Sequence, residues 1–270
     1  MTEDQLVYLY CLTNQKPELT ETEDSAGSLY LVRHRGLYAV VGKVNESEFG
    51  KNGLIENMAD LEWVKTNVGT HERIIEQVMA NADVIPFKFA TLFNTDESLK
   101  AMLEGYGGEF DAILQRLENK QEWGVKIYCG MQELKALSVC NEPGILEIEN
   151  KIGSSSPGQT FFLEKKKAEL LAKAANDRIN EYCQESFDLL KDLSCEARIN
   201  KLLPKQVTER EDDMILNSAF LVGKDEVGDF INIVDTLKVH YENKGVSIDC
   251  TGPWPPYNFC SLTNQKVVSA

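Results

Sequence analysis

Glu122-Trp123-Gly124-Val125-Lys126-Ile127-Tyr128-Cys129 places Trp123, Val125, Ile127 and Cys129 on one side and Glu122, Gly124, Lys126 and Tyr128 on the other. Side chains alternate across a strand, so this stretch predicts a strand with one apolar face. Downstream, Met131 to Cys140 reads as a short helix, and 144–158, acidic and then Gly/Ser/Pro-rich, as a flexible loop. From Gln159 to Leu193 a long helix is expected on the line Leu171, Ala175, Ile179, Tyr182, Leu189 and Leu193. Its length, about 50 Å at 1.5 Å per residue, exceeds any strand it covers, so it must break or project. Cys195, Ala197 and Ile199 alternate as a half-buried strand, and Met214 to Val222 is apolar enough for a sheet centre. Asp225 can cap a helix carrying Val227, Phe230, Ile231, Val234, Leu237 and Tyr241, and Val246, Ile248 and Cys250 alternate once more. The order β-α-β-β-α-β from Glu122 to Cys250 is that of a ferredoxin-like domain.

The first half reads as strands followed by helices. Leu6 to Leu12 is a continuous apolar run, the pattern of a buried strand, and Leu29 to Val44 reads as a hairpin broken at Arg33-His34-Arg35-Gly36. Asp60 offers an N-cap for a helix with Leu61, Val64, Val68, His71, Ile74, Ile75, Val78 and Met79 at helical spacing. Asp83 to Ala90 resembles a strand, placed at an edge or bulge by Pro86, which has no N–H to donate. Gly105-Tyr106-Gly107-Gly108 divides Leu99 to Leu103 from Phe110 to Leu117, which suggests two short helices. Together the two halves predict an α+β protein: an N-terminal α+β domain over 1–120, a ferredoxin-like domain over 121–252, and a Pro/aromatic tail over 253–270.

The chain has 270 residues, 43% of them hydrophobic and 26% charged, close to the globular norm, which argues against disorder or a fibrous coil. Its 28 Lys and Arg against 43 Asp and Glu give a net charge of −15, which repels phosphate backbones and anionic lipid surfaces. Nucleic acid and membrane are therefore not expected partners. Seven cysteines without a CxxC pair, and an opening stretch without a signal-peptide pattern, predict a reducing cytoplasm.

Chemistry-bearing motifs are missing. Gly36 and Gly42-Lys43 have the wrong spacing for a phosphate loop, and Val44 stands where Ser or Thr would hold magnesium. In 153–158, Pro157 replaces the second glycine of a GxSxG elbow. His34, His71 and His240 lack partners at metal-site spacing, and His71 lies on its helix's apolar line, where a hydrogen-bonded core histidine is expected. No catalytic residue, cofactor or metal ligand is assigned.

The residues that point outward to a partner, or inward to a domain junction, are of another kind. Phe87 and Phe89 bracket Lys88 beside Pro86, with Phe93 following; alternation would send the phenylalanines inward and Lys88 to solvent. Lys165-Lys166-Lys167 lies early in the long helix, where the dipole disfavours cations, and is either a solvated face or a patch for an acidic partner. Thr251 to Phe259 contains three prolines that should end any ladder, so Trp254, Tyr257 and Phe259 must dock, either on the protein itself or on a hydrophobic client.

Glu122 to Ile127, Ser156-Pro157-Gly158-Gln159-Thr160-Phe161-Phe162-Leu163-Glu164-Lys165-Lys166-Lys167 and Thr251 to Phe259 resemble the gas vesicle accessory proteins GvpF and GvpL. Val84 to Phe93, preceded by the helix bearing His71, resembles the same family, and the Trp-Pro-Pro-Tyr ending is closer to GvpL. The resemblance implies a two-domain α+β protein without a catalytic site. It implies a cytoplasmic role in vesicle assembly, contacting the hydrophobic shell protein GvpA and other Gvp accessory proteins as a chaperone-like or nucleating component. Gln159 departs from the family's usual basic residue after Ser-Pro-Gly, which would weaken a contact there with an acidic partner. A reading of a different class remains open: a small-molecule-sensing module built on the ferredoxin-like half.

Overall fold

The computed structural model describes residues 5–19, 29–141 and 143–262. The chain separates into two compact units: one comprises the chain up to Gln121 together with the stretch from Pro253, the other Glu122–Gly252.

In the first unit, β1 (Gln5–Thr13), β2 (Tyr30–His34) and β3 (Leu37–Asn45) are followed by α1 (Glu46–Phe49), α2 (Lys51–Asn57) and α3 (Leu61–Met79), then β4 (Ile85–Pro86), β5 (Leu92–Phe93) and α4 (Asp96–Leu117). The sheet order is β2-β3-β1-β4, with β5 also on β1. β2 and β3 form the expected hairpin, with His34 opposite Leu37. Its two-residue turn, Arg35 and Gly36, has both φ angles positive, at 44° and 90°, the geometry that matches the twist of paired strands. β1 carries a bulge: Leu9 faces Val41 and Cys11 faces Val40, leaving Tyr10 over. The extra residue resets the alternation, so Tyr8, Tyr10 and Cys11 share one core, which is why the run reads as continuously apolar. Asp60 caps α3 as expected, its Oδ1 accepting from Glu62 N at 3.0 Å and Trp63 N at 3.3 Å.

The second unit's elements run β6 (Lys120–Cys129), α5 (Met131–Asn141), α6 (Pro143–Ile152), α7 (Pro157–Asp192), β7 (Glu196–Ile199), α8 (Lys205–Thr208), β8 (Asp213–Gly223), α9 (Val227–Tyr241) and β9 (Val246–Trp254), in the sheet order β7-β8-β6-β9. α7 and α9 meet β8 through Phe187, Phe220 and Phe230, whose rings lie 5.6 and 5.5 Å apart in turn. Tyr241 of α9 lies 4.8 Å from Tyr182 of α7, and its hydroxyl shares a 3.0 Å hydrogen bond with Ser186. α7 does not break. Its C-terminal half buries Ala175, Tyr182, Ser186 and Leu190, while α5 and α6 pack along it as well.

Several expectations are corrected. The loop over 144–158 contains α6, because Ile145 and Ile148 are one helical turn apart and both buried. α4 is one helix through its glycines, because Leu99, Met102, Leu103, Phe110, Ile113, Leu114 and Leu117 keep a single buried stripe across them. The strand over 83–90 shrinks to Ile85–Pro86, which pair with Leu12 and Cys11. Asp225 is in the short 3-10 turn Lys224–Glu226 rather than capping α9. β9 continues through Pro253 to Trp254, since it is an edge strand where one side needs no donor. Leu61, placed on the apolar line of α3, is 76% exposed, and the first turn of that helix reaches the core through Trp63, whose ring lies 5.1 Å from Phe49, instead. Residues 263–270 of the expected tail lie outside the described residues.

Candidate functional site: interaction surfaces

The stretch after β4 folds back over β1. Pro86 is buried in its pair with Cys11, and Phe87 N donates to Tyr10 O at 2.9 Å. The Phe87 ring meets Phe110 of α4 at 6.1 Å, whereas Phe89 stands edge-on to His71 at 5.8 Å and Tyr8 at 6.1 Å. Between them Lys88 is exposed, and its carbonyl accepts from Thr91 N and Thr91 Oγ1 in a turn that leaves Ala90 at φ 59°. Phe93 is in β5 opposite Val7. Phe87 and Phe89 pack inward in the first unit, Phe93 is half-buried, and Lys88 is the exposed residue of this group.

The chain's end returns to the same core. Phe259 is fully buried, and the Arg116 guanidinium donates to its carbonyl. Tyr257 O–H donates to Glu72 Oε1 at 2.9 Å, and its oxygen lies 3.1 Å from His71 Nε2. That nitrogen is also 3.0 Å from the Phe87 carbonyl, which can only accept, so Nε2 carries the proton. His71 Nδ1 then accepts from Tyr8 O–H at 3.0 Å, and the Tyr8 oxygen accepts from Ala90 N at 2.8 Å. The donors and acceptors thus run in one consistent line through β1, α3, the 87–91 turn and the tail. Burial pulls the His71 pKa down from 6.5 to about 4, partly opposed by its bond to Phe87, and pushes both tyrosine hydroxyls up. Glu72 is raised, mainly by burial. A neutral imidazole at 1% exposure with both nitrogens engaged has no face for a substrate. It is a structural node.

Trp254 is different, at 44% exposure. Lys165 and Lys166 are exposed, whereas Lys167 is half-buried and paired with Glu149 of α6. Gln159 Oε1 accepts from the Ser156 N and Oγ at the start of α7, so the residue that breaks the expected basic pattern holds the helix entry. Sequence reasoning missed one apolar corner altogether: Ile55, Met58 and Leu61 are 67%, 52% and 76% exposed at the α2–α3 junction. The available signal was their i, i+3, i+6 spacing across the Asp60 cap, masked because Leu61 also fits the α3 stripe. Phe161 and Phe162, which follow Ser-Pro-Gly at the start of α7, are exposed too.

Among the described residues, no group of three or more His, Cys, Asp or Glu could hold a metal ion. No helix among them is long and apolar enough to cross a membrane.

The family described as "Gas vesicle synthesis protein GvpL/GvpF" matches residues 6–261. Gas vesicle protein L of a Streptomyces species is 24% identical, over 99% of this chain and 97% of that one. Gas vesicle protein F1 of Halobacterium salinarum is also 24% identical, over 97% and 95%. Among solved structures, the gas vesicle protein GvpF of an Anabaena species superposes with a TM-score of 0.72 at 18% identity, covering 96% of this chain and all of that one. GvpF of Microcystis aeruginosa gives 0.65 at 17% identity, covering 95% and 99%. These structures share the fold, a mixture of helix and sheet.

Proposed function

Because the chain belongs to the GvpL/GvpF gas vesicle synthesis family, we propose that it is a non-enzymatic accessory factor of vesicle formation that binds the hydrophobic shell protein GvpA, or other Gvp accessory proteins, in the cytoplasm. It keeps the shell subunit from aggregating and helps the vesicle to nucleate. The observation that carries this reading is the family match over residues 6–261. Two features of the molecule support it. Ile55, Met58 and Leu61 present apolar surface outside the chain's own core, as a client-binding surface requires. A net charge of −15 on the carrier keeps a complex with a sticky client dispersed. We also read Glu122–Gly252 as a ferredoxin-like domain, supported by its element order and by the sheet order β7-β8-β6-β9.

The test is to dilute denatured shell protein into buffer with and without this chain and to follow light scattering and co-elution. Suppressed scattering and a co-eluting complex are expected, and replacing Ile55, Met58 and Leu61 together by Ser should abolish both while leaving the circular dichroism unchanged. Scattering that this chain does not reduce would sink the chaperone reading.

A further inference from the structure

The chain contains eleven phenylalanines, all within the described residues, and only Phe161 and Phe162 are exposed, at 65% and 73%. They are neighbours early in α7, with ring centroids 5.9 Å apart and planes at 77°. The opposite side of that part of α7 is already covered: Lys167 pairs with Glu149 of α6, and α5 and α6 pack along it. One helical turn on from the phenylalanines stand Lys165 and Lys166, and two turns beyond Lys166 lies Lys173, all exposed. The hydrogen bond and charge of Lys151 hold the Glu147 carboxyl below its usual range, with Lys166 adding least, and Glu149 pairs with Lys167. Glu169 is the acidic residue between the lysines on this face. A chain with 43 acidic against 28 basic residues therefore gathers cations around its most exposed aromatic pair.

We propose that this outward face of α7 docks an acidic amphipathic helix of a different protein, with the phenylalanines taking its apolar stripe and Lys165, Lys166 and Lys173 its carboxylates. Exposed aromatic rings supply the apolar burial that an interface centre takes up, and lysines at its rim set which charge it prefers. Charge selects the occupant. A second copy brings another −15, and nucleic acid or an anionic bilayer is repelled by the same body, whereas an acidic helix meets the local cations within the Debye length of about 8 Å. The proposal goes beyond shell binding: the face lies on the other unit from Ile55, Met58 and Leu61, and it holds whether or not GvpA is the client.

The experiment titrates the full chain into two labelled helical peptides of roughly 20 residues, long enough to be helical, with the same Leu stripe but flanked by Glu in one and by Lys in the other. The Glu peptide should bind at least about tenfold more tightly, a difference of about 1.4 kcal/mol. F161A/F162A should weaken it at least about tenfold, and K165E/K166E should invert the preference. All four side chains are exposed, so both variants should keep the parent circular dichroism and melting temperature. Equal binding of the two peptides, or no binding, overturns the proposal. So does sedimentation showing a dimer that F161A/F162A dissolves, which would make a second copy the occupant. Co-flotation with zwitterionic vesicles that depends on Phe161 and Phe162 would make the occupant a membrane and overturn it equally.

Discussion

Tyr257 shows how much a single hydroxyl can organise. It donates to Glu72 and lies within hydrogen-bond reach of His71, so Tyr257→Phe keeps the ring's packing but leaves Glu72 without that donor. A loss of about 1 to 2 kcal/mol is expected in urea unfolding, since a hydrogen bond to a charged group is stronger than a neutral one. An unchanged midpoint would show that the bond contributes nothing. His71 gives a second expectation. Its folded pKa, about 4, lies below its unfolded value near 6.5, so the unfolded chain binds the extra proton between those limits. The stability tied to the neutral ring, about 3 kcal/mol at most, is complete above pH 6.5 and is lost as pH falls toward 4. Nitrogen-15 spectra of the imidazole should show it still neutral at pH 5.5; a midpoint near 6.5 would refute this. The helical periodicity around His71 was enough to place it in a core, but Tyr8 and Tyr257 are 63 and 186 residues away, and no local pattern pairs them.

At the scale of the element, α4 and α6 show what local signals miss. Three glycines within four residues look like a helix break, yet each costs only about 1 kcal/mol relative to Ala, less than the stripe from Leu99 to Leu117 recovers by burial. Gly107 and Gly108 have open space where a Cβ would go. Gly107→Ala and Gly108→Ala should therefore each stabilise the protein by about 0.5 to 1 kcal/mol in thermal melts. A destabilised variant would mean that the glycines serve a purpose other than tolerated weakness. α6 was hidden in the opposite way: Gly, Pro and carboxylates flank Ile145 and Ile148, and two isoleucines are too few to announce a helix until α7 lies beside them. Asp60, the β2–β3 hairpin and the alternation of β6 were legible because each acts through its nearest neighbours, although Arg33 and His34, read as part of the hairpin's break, belong to β2.

At the scale of the whole molecule, the first unit is discontinuous, closed by residues that follow the second. Ending the chain after Trp254 leaves β9 complete but removes Tyr257 and the fully buried Phe259. The first unit should lose at least about 3 kcal/mol, the scale of emptying a buried phenylalanine site. Hydrogen exchange should then quicken in β1 and α4 and stay unchanged in β8 and α9; equal loosening of both would refute the assignment of the tail to the first unit. Composition, the Asp60 cap, the β2–β3 hairpin and the periodicities of β6, α3 and α7 were readable from the chain alone, and so was its family, because those signals reside in short windows and local motifs. Alternation sent Phe87 and Phe89 inward, but which aromatics of the tail and of α7 are core and which are surface was not legible. Tyr257 and Phe259 turn inward while Phe161, Phe162 and Trp254 meet water, although all are aromatic by type. That difference depends on what distant segments cover, and only the assembled tertiary structure decides it.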